Sequence, residues 1–260
     1  MWCLLGRGWV LQVTAVEWVV VSVAAGMVAA TGVVECGEGA DMAGRSGPKA
    51  TDPQLPEVLG PPDADGLVDE ADWWRVDASG ADYAGAVAAN FHIEQCRFTR
   101  ADLSGGRWRG GVWRDCVFDH GDLANVFAES GSAFRSRFTD VRMTGLQWTD
   151  GVVKDVTFTG CRMDLTGFRF TRLSGTVFTD CRMTSVDFTG ADLTGVVLRR
   201  CDLTGAKFHQ VKMAGARVED CVIDDVSGVE FLRGATVKAA DLIPLTFALA
   251  RALGITVEVD

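Results

Sequence analysis

The chain has 260 residues, enough for one large domain or two small ones, and its 48% hydrophobic content allows a buried core. Its formal net charge of −10 argues against non-specific nucleic-acid binding, which needs an excess of Lys and Arg. Thirty glycines against six prolines favour tight turns and β-structure over a helical bundle.

An apolar stretch sets residues 1–41 apart from the rest of the chain. Between residues 9 and 34, Glu17 is the only charged residue. Three interpretations are open: an over-extended start to a protein that naturally begins at Met42, a weak single-pass membrane anchor through residues 9–34, and a cleaved secretory signal. We expect membrane contact only if residues 9–34 are made and insert, and otherwise a cytoplasmic protein.

A linker and a cap are predicted before the repeats begin. Residues 42–65 form a Pro- and Asp-rich linker, since they hold five of the six prolines. Residues 66–80 are placed to cover the first coil of the repeat as an N-terminal cap. Within them, we expect Leu67–Trp74 to form one or two helical turns with Asp65 as the N-cap.

From residue 81 to residue 228 the sequence repeats every five residues. The centre of each block falls at 83, 88, 93 and every fifth residue to 223, which makes 29 positions, and all but Ala88, Ala128 and Ala133 are large and apolar. A period of five fits neither a helix nor a strand. It fits a chain that turns a corner in each block and points one large side chain inwards, so that the blocks coil.

The aromatic residues indicate that four blocks make one coil. Phe residues at block centres recur in steps of 20 and fall in two of four columns. Residues 20 apart would then lie above one another, which lets rings pack in layers. The predicted fold is all-β, a parallel β-helix of about seven coils and roughly 35 Å. Its predicted structural core includes Phe98, Phe118, Phe138, Phe158, Phe178, Phe168, Phe188, Phe208, Leu193, Leu203, Met163 and Met183.

One coil departs from the pattern. Ala occupies two consecutive block centres, Ala128 and Ala133, and Phe127 and Phe134 lie beside them rather than at the centres. We predict a bulge or a bend in this coil. The register should survive it, because Phe138 returns to the five-residue spacing.

Cysteine follows the same spacing. Two series, each in steps of 20, hold the small inward position: Cys161, Cys181, Cys201 and Cys221 in one, Cys96 and Cys116 in the other. We interpret them as buried free thiols in place of Ala, which favours a reducing compartment. Coils about 4.8 Å apart do not exclude disulfides by distance. No CxxC or His-x-His spacing supports zinc, and we expect neither a metal nor a cofactor.

Residues 229–260 form the predicted C-terminal cap. A helix over about 238–253 would cover the exposed strand edges of the last coil and stop at Gly254. Its apolar face would carry Leu242, Leu245, Leu249 and Leu253. We also expect this face to join two copies of the chain into a homodimer.

Several blocks share one pattern. Ala191-Asp192-Leu193-Thr194-Gly195 and Cys201-Asp202-Leu203-Thr204-Gly205 resemble the A(D/N)LxG units of the pentapeptide-repeat family, and the resemblance covers residues 81–225. It implies a right-handed quadrilateral β-helix and, as in some members, a C-terminal helix that joins two rods. Several members resemble duplex DNA in shape and charge and bind DNA gyrase, protecting it from quinolone-type drugs. Most members have no known activity.

Four functions can be compared on the sequence. We favour a non-enzymatic, rigid protein-binding module of unknown partner, since a rod with flat walls offers surface but no deep pocket. A DNA mimic that binds gyrase or another topoisomerase would need an acidic stripe, but residues 81–228 hold 19 acidic and 18 basic side chains. A membrane-tethered scaffold rests on residues 9–34 alone. An enzyme would need grouped carboxylates, and the candidates Glu219, Asp220, Asp224 and Asp225 are more simply solvated corners.

Overall fold

The structure is a computed structural model that describes residues 50–62 and 66–257, with the backbone of four strands among residues 2–34. The chain divides into two compact units, residues 1–46 and residues 47–260. In the described part of the chain, no helix has the length and apolar character needed to cross a bilayer. Met42, where the alternative start was placed, lies outside the described residues.

The first unit holds an antiparallel sheet whose strands pair in chain order. The four strands are β1 (Trp2–Leu5), β2 (Gly8–Gln12), β3 (Trp18–Ala24) and β4 (Met27–Val34). Within residues 9–34, which the sequence offered as a membrane anchor, all the described residues belong to β2, β3 and β4.

The second unit is a stack of strands of two or three residues each. In chain order they are β5 (Asp72–Trp74), β6 (Val87–Ala89), β7 (His92–Glu94), β8 (Arg97–Thr99), β9 (Arg107–Arg109), β10 (Val112–Arg114), β11 (Val117–Asp119), β12 (Phe127–Glu129), β13 (Ser132–Phe134), β14 (Arg137–Thr139), β15 (Gln147–Thr149), β16 (Val152–Lys154), β17 (Thr157–Thr159), β18 (Arg172–Ser174), β19 (Val177–Thr179), β20 (Val197–Arg199), β21 (Arg217–Glu219) and β22 (Thr236–Val237).

These strands form the walls of a four-sided parallel β-helix of about eight coils. Wall 1 has its block centres at 83–223 and pairs through single bridges such as Asp102↔Asp122. Wall 2, with centres at 88–208, contains the sheet β6-β9-β12-β15. Wall 3 holds the sheet β5-β7-β10-β13-β16-β18, and wall 4 the sheet β8-β11-β14-β17-β19-β20-β21-β22. Partners are 20 residues apart, as in Phe118↔Phe138, so the predicted four-block coil is confirmed.

The last residue of each block turns the corner. Its backbone lies in the left-handed region, with φ 67° at Gly105 and 56° at Asn125. An Asp before the block centre supports the same corner: the Ser104 N–H donates to the Asp102 Oδ1 atom at 2.9 Å. The A-D-L-x-G blocks thus combine an Asx turn with a residue that tolerates positive φ.

The core is a set of stacked rings. On wall 4, the centroids of Phe98 and Phe118 are 4.8 Å apart and those of Phe158 and Phe178 also 4.8 Å. On wall 2, opposite, Phe168 lies 5.7 Å from Phe188. The twelve core residues proposed from the sequence are buried: Phe98, Phe118, Phe138, Phe158, Phe178, Phe168, Phe188, Phe208, Leu193, Leu203, Met163 and Met183.

The bulge predicted around Ala128 and Ala133 is wrong. Both alanines pair in register with the coils on either side, with no shift. The missing volume is supplied from those coils, because Ala128 lies between the buried Trp108 and Trp148 in wall 2. An alanine at one block centre with a tryptophan above and below it fills the core as well as three medium-sized side chains would.

The helical turns predicted for Leu67–Trp74 are also wrong, since β5 occupies residues 72–74. β5 pairs in parallel with β7, and Trp73 is buried below Ile93 at a wall 3 centre. The segment 66–80 therefore belongs to the first coil rather than standing over it as a separate helical cap. Asp65, the predicted N-cap, lies outside the described residues.

Six cysteines of the described rod are buried free thiols: Cys96, Cys116, Cys161, Cys181, Cys201 and Cys221. Each thiol of the wall 1 series lies against backbone carbonyls, as Cys161 Sγ does 3.5 Å from the Phe138 oxygen. Burial raises the pKa of the Cys96 thiol to about 11. The six thiols fill core space, and a buried thiol with a raised pKa such as Cys96 is a poor nucleophile.

The C-terminal end carries 3-10 turns at Val229–Phe231 and Ala239–Asp241 and then helix α1 (Leu242–Ala252). The helix lies within the predicted span. Leu245 and Ala248 are buried against the last coil, and Gly254 follows with φ 70°. Of the four predicted leucines, Leu245 packs inwards and Leu242, Leu249 and Leu253 are exposed.

Candidate functional site

Three of the four acidic residues that the sequence offered for an enzyme, Glu219, Asp220 and Asp225, are paired with cations. Glu219 lies 2.9 Å from Arg199 and 2.7 Å from Arg217. Burial acts to raise the pKa of the Glu219 carboxyl, but hydrogen bonds from Arg217 and Arg199 outweigh it and lower the pKa. Two neighbours are paired as well: Asp220 with Lys238, and Asp225 with Arg251. A general acid needs a raised pKa, so Glu219 is not suited to that role and balances the charge of the two arginines instead.

The three histidines do not form one site. His92 lies on wall 3 near Glu94, His120 at a corner near Asp140, and His209 on wall 2. Among residues 50–62 and 66–257, no cluster of three His, Cys, Asp or Glu could hold a metal ion.

Wall 1 carries the charge column on which DNA mimicry would depend. Three aspartates, Asp82, Asp102 and Asp122, stack on successive coils, and three arginines follow at 142, 162 and 182. Asp122 pairs with Arg142 at 2.8 Å. A hydrogen bond from the Ser104 side chain lowers the pKa of Asp102. The uninterrupted acidic run spans two coil steps, roughly 10 Å, much less than the rod.

Wall 2 exposes large apolar side chains. Their exposed fractions are 68% for Val87, 53% for Phe127, 62% for Leu165 and 52% for Phe170. Val87, Arg107 and Phe127 stand in one column, since Val87 pairs with Arg107 and Arg107 with Phe127. The column continues through Gln147 to Gly167, whose coil carries Leu165 and Phe170 at its two corners. We call Val87, Arg107, Phe127, Leu165, Arg169 and Phe170 the wall 2 patch.

Arginine lies over each exposed phenylalanine of the wall 2 patch. The Arg107 guanidinium is 5.8 Å from the Phe127 ring centre, and that of Arg169 is 5.8 Å from the Phe170 ring centre. Within the described residues, neither Arg107 nor Arg169 has an ion-pair partner. Between them, Arg109 is paired with Glu129 at 3.0 Å. The patch therefore combines apolar area with two uncompensated cations.

The two corner residues of the patch are conformationally strained. Leu165 has φ 58° and Phe170 has φ 57°. Among the described non-glycine residues with positive φ, these two alone have apolar side chains; the others are polar or charged. A bulky residue in this region is disfavoured relative to Gly or Asn. Exposed and strained side chains of this kind do not serve the core, so they point to a contact made at the surface.

The structure makes room for one of these side chains. A Cβ atom at Gly190, on the next coil, would overlap the ring of Phe170. At the other end of the patch, a shallow groove of about 540 Å³ opens between Val87, Arg107, Arg109 and Phe127. The exposed Asp69 and the buried Ala88 and Trp108 also line this groove. The wall is thus contoured without forming a deep cavity.

A second apolar surface lies on helix α1. Ile243, Phe247 and Leu253 are more than half exposed, and Leu242 and Leu249 are partly so. This face points away from the last coil, against which Leu245 is buried. This face is separate from the wall 2 patch, because it belongs to the C-terminal helix and not to a wall of the rod.

The repeat architecture agrees with a family model. Residues 131–208 match the model of a pentapeptide repeat region. The chain therefore contains a pentapeptide repeat region. Its rod is a right-handed quadrilateral β-helix, as the resemblance of the blocks implied. No curated protein matches the chain by sequence.

Solved structures with the same kind of rod are distant in sequence. Trypsin-treated QnrB1, a plasmid-mediated fluoroquinolone resistance protein, is 18% identical and covers 74% of this chain and 99% of that chain, with a TM-score of 0.37. A second structure is that of HetL, a pentapeptide repeat protein involved in heterocyst differentiation regulation from the cyanobacterium Nostoc sp. strain PCC 7120. It is 13% identical and covers 66% of this chain and 90% of that chain, with a TM-score of 0.27. Such likenesses identify no partner for this pentapeptide-repeat protein.

The sequence prediction named core and helix residues and missed the wall 2 patch. A signal was present: the corner position is Gly, Asp, Asn, Ser or another polar residue in nearly every block, and Leu165 and Phe170 break that rule. Val87 and Phe127 each stand one position before a block centre, where the repeat points side chains outwards, but outward strand positions accept both polar and apolar side chains and so do not by themselves mark a site.

Proposed function

We propose that this pentapeptide-repeat protein is a non-enzymatic, rigid protein-binding module whose partner docks on wall 2. The observation that carries the proposal is the wall 2 patch, where exposed apolar side chains, two of them strained, stand beside unpaired arginines. Aromatic residues and arginine are enriched at protein interfaces. The repeated backbone hydrogen bonds between coils hold the patch in a fixed shape, so little conformational entropy would be lost on binding.

The proposed site of action is the cytoplasm. Six free, buried thiols suit a reducing compartment, where disulfides do not form. The membrane-tethered alternative depends on residues 9–34 inserting in a bilayer. Fractionation of cells that make the full chain separates the two, since a tethered protein would sediment with membranes.

The gyrase-binding alternative is less well supported. It needs a long acidic stripe, but on wall 1 a run of three aspartates is followed by a run of three arginines, and Asp122 pairs with Arg142 where the runs meet. We expect purified protein to leave gyrase supercoiling unchanged at micromolar concentration. Inhibition in that assay would favour DNA mimicry instead.

A pull-down from the native host with the full chain tests the proposed function. Phe127→Ser with Phe170→Ser removes the two exposed rings of wall 2. Trp74→Ser is the matched control, because Trp74 is an exposed aromatic on wall 3. We expect a captured protein to be lost with the double variant and kept with the control. Capture that is the same in all three forms, or no capture by the unaltered chain, would contradict the proposal.

A further inference from the structure

We propose that the wall 2 patch binds an extended, acidic segment of its partner, about six residues long and carrying aromatic or aliphatic side chains. This inference rests on the proposed function and adds the chemistry of the partner. It follows from the charge of the wall, the geometry of its arginines and the spacing of its coils.

The charge of wall 2 is positive where the apolar side chains are exposed. Between residues 87 and 169, its outward strand positions hold three arginines, Arg107, Arg109 and Arg169, and one acid, Glu129. Residues 81–228 as a whole hold 19 acidic and 18 basic side chains, so this face is more basic than the rod that carries it. An acidic segment would therefore be attracted to this face more than to the other walls.

The arginines of the patch are placed to receive carboxylates. A guanidinium that lies over an aromatic ring keeps the N–H groups at its edge free for a planar, bidentate acceptor. Arg107 and Arg169 lie over Phe127 and Phe170, and neither is engaged by an acid among the described residues. A partner segment with acidic and apolar side chains would satisfy the guanidinium and cover the ring in the same contact.

The spacing of the patch suits an extended chain that runs along the rod. The column from Val87 to Gly167 crosses four coil steps. At about 4.8 Å a step, this is roughly 19 Å, or about six residues of extended chain. Leu165 and Phe170 flank the upper end of the column at the two corners of wall 2, so the segment would end between two apolar side chains.

Full-length protein and synthetic polypeptides test this inference. The probe is a fluorescent random copolymer of glutamate and tyrosine, with a copolymer of lysine and tyrosine and a single-stranded oligothymidylate as comparisons. The variant is Arg107→Glu with Arg169→Glu. The matched control is Arg100→Glu with Arg137→Glu, which makes the same change of net charge at exposed sites away from wall 2.

We expect the Glu-Tyr copolymer to bind and the wall 2 double variant to weaken its binding roughly tenfold, since each exposed ion pair contributes modestly and reversal adds repulsion. The control should bind within about twofold of the unaltered chain. Binding should also weaken as NaCl rises from about 0.05 M to about 0.5 M. Circular dichroism checks that both variants fold.

Three results would overturn the inference: no binding of the Glu-Tyr copolymer, equal weakening by variant and control, or tighter binding of the Lys-Tyr copolymer. Binding of oligothymidylate that the wall 2 variant abolishes would assign the patch to single-stranded nucleic acid instead. The failure of this inference can be distinguished from the failure of the proposed function. If the native partner is captured through Phe127 and Phe170 but binds by a segment without acidic residues, the protein-binding role stands and the acidic segment does not.

Discussion

The ring centroids of Phe138 and Phe158, 20 residues apart, lie 4.9 Å from each other, and the ring planes are within 14° of parallel. Phe158→Asp would place a carboxylate in this stack without a partner, and we expect a loss of about 4 kcal/mol or more and collapse of the rod. Thr159→Asp, at the next position, is exposed and should change stability by less than about 0.5 kcal/mol. Circular dichroism with urea titration measures both, and equal loss of folded protein would contradict the inward assignment.

Leu165 holds its exposed side chain at a strained corner. Leu165→Asn should raise the free energy of unfolding by about 1 kcal/mol, because Asn tolerates positive φ and the leucine contributes little to the core. Val87→Asn makes a comparable substitution in an extended strand on the same wall and should give no gain. Urea titration compares the two. Equal destabilisation by both changes would mean that the corner is not strained.

Stability should fall at alkaline pH because of the buried thiols. A hydrogen bond with Cys161, together with burial, raises the pKa of the Cys181 thiol from 9.0 to about 12. A hydrogen bond with Cys181, together with burial, likewise raises that of Cys201 to about 12. Below pH 9 both states keep the protons. Above it the unfolded chain loses them first, and each thiol removes about 1.4 kcal/mol of stability per pH unit until the folded thiol ionises.

Replacing both thiols isolates this effect. Cys181→Ala with Cys201→Ala should flatten the decline in the free energy of unfolding between pH 9 and pH 11 by about 3 kcal/mol per pH unit. Thr159→Ala, an exposed control without a titrating group, should keep the original slope. Identical slopes for the thiol variant and the unaltered chain would show that the thiols do not ionise preferentially in the unfolded state.

Helix α1 should join two copies of the chain. Its outer face exposes Ile243, Phe247 and Leu253, and burial of such a face drives association. We expect light scattering to give a dimer at micromolar concentration and Phe247→Glu to give a monomer. Arg233→Glu, at an exposed site outside the helix, should leave the dimer intact. A monomeric unaltered chain would contradict this prediction.

The five-residue period was sufficient to predict most of the fold. A centre such as Phe158 must face inwards in every coil, so the column of Phe residues gives the coil length directly. The first coil was readable by the same spacing, since Trp73 and Ala78 fall on it. The prediction began only at residue 81, although residues 76–80 already have the Asp, Ser and Gly of the repeat, because Ala78 at their centre is small where most centres are large.

Other features depend on contacts that no single block contains. Within its own coil, the small side chain of Ala128 indicates a gap in the core and hence a bulge or bend. The indoles of Trp108 and Trp148 on the adjacent coils fill that gap. The wall 2 patch likewise exists only when residues 20, 40 and 60 positions apart are brought to one face. A surface site of a solenoid is built from residues of several coils, so the repeat pattern alone does not reveal it.

Site-specific photo-crosslinking in the native host is the most direct test of wall 2 as the docking face. Benzoylphenylalanine is introduced in the full chain in place of Phe127 or Phe170 and, for comparison, in place of Thr159 on wall 4. We expect one partner protein to be crosslinked from both wall 2 positions and not from wall 4. Crosslinks to the same protein from wall 4 alone, or from neither wall 2 position, would contradict the account.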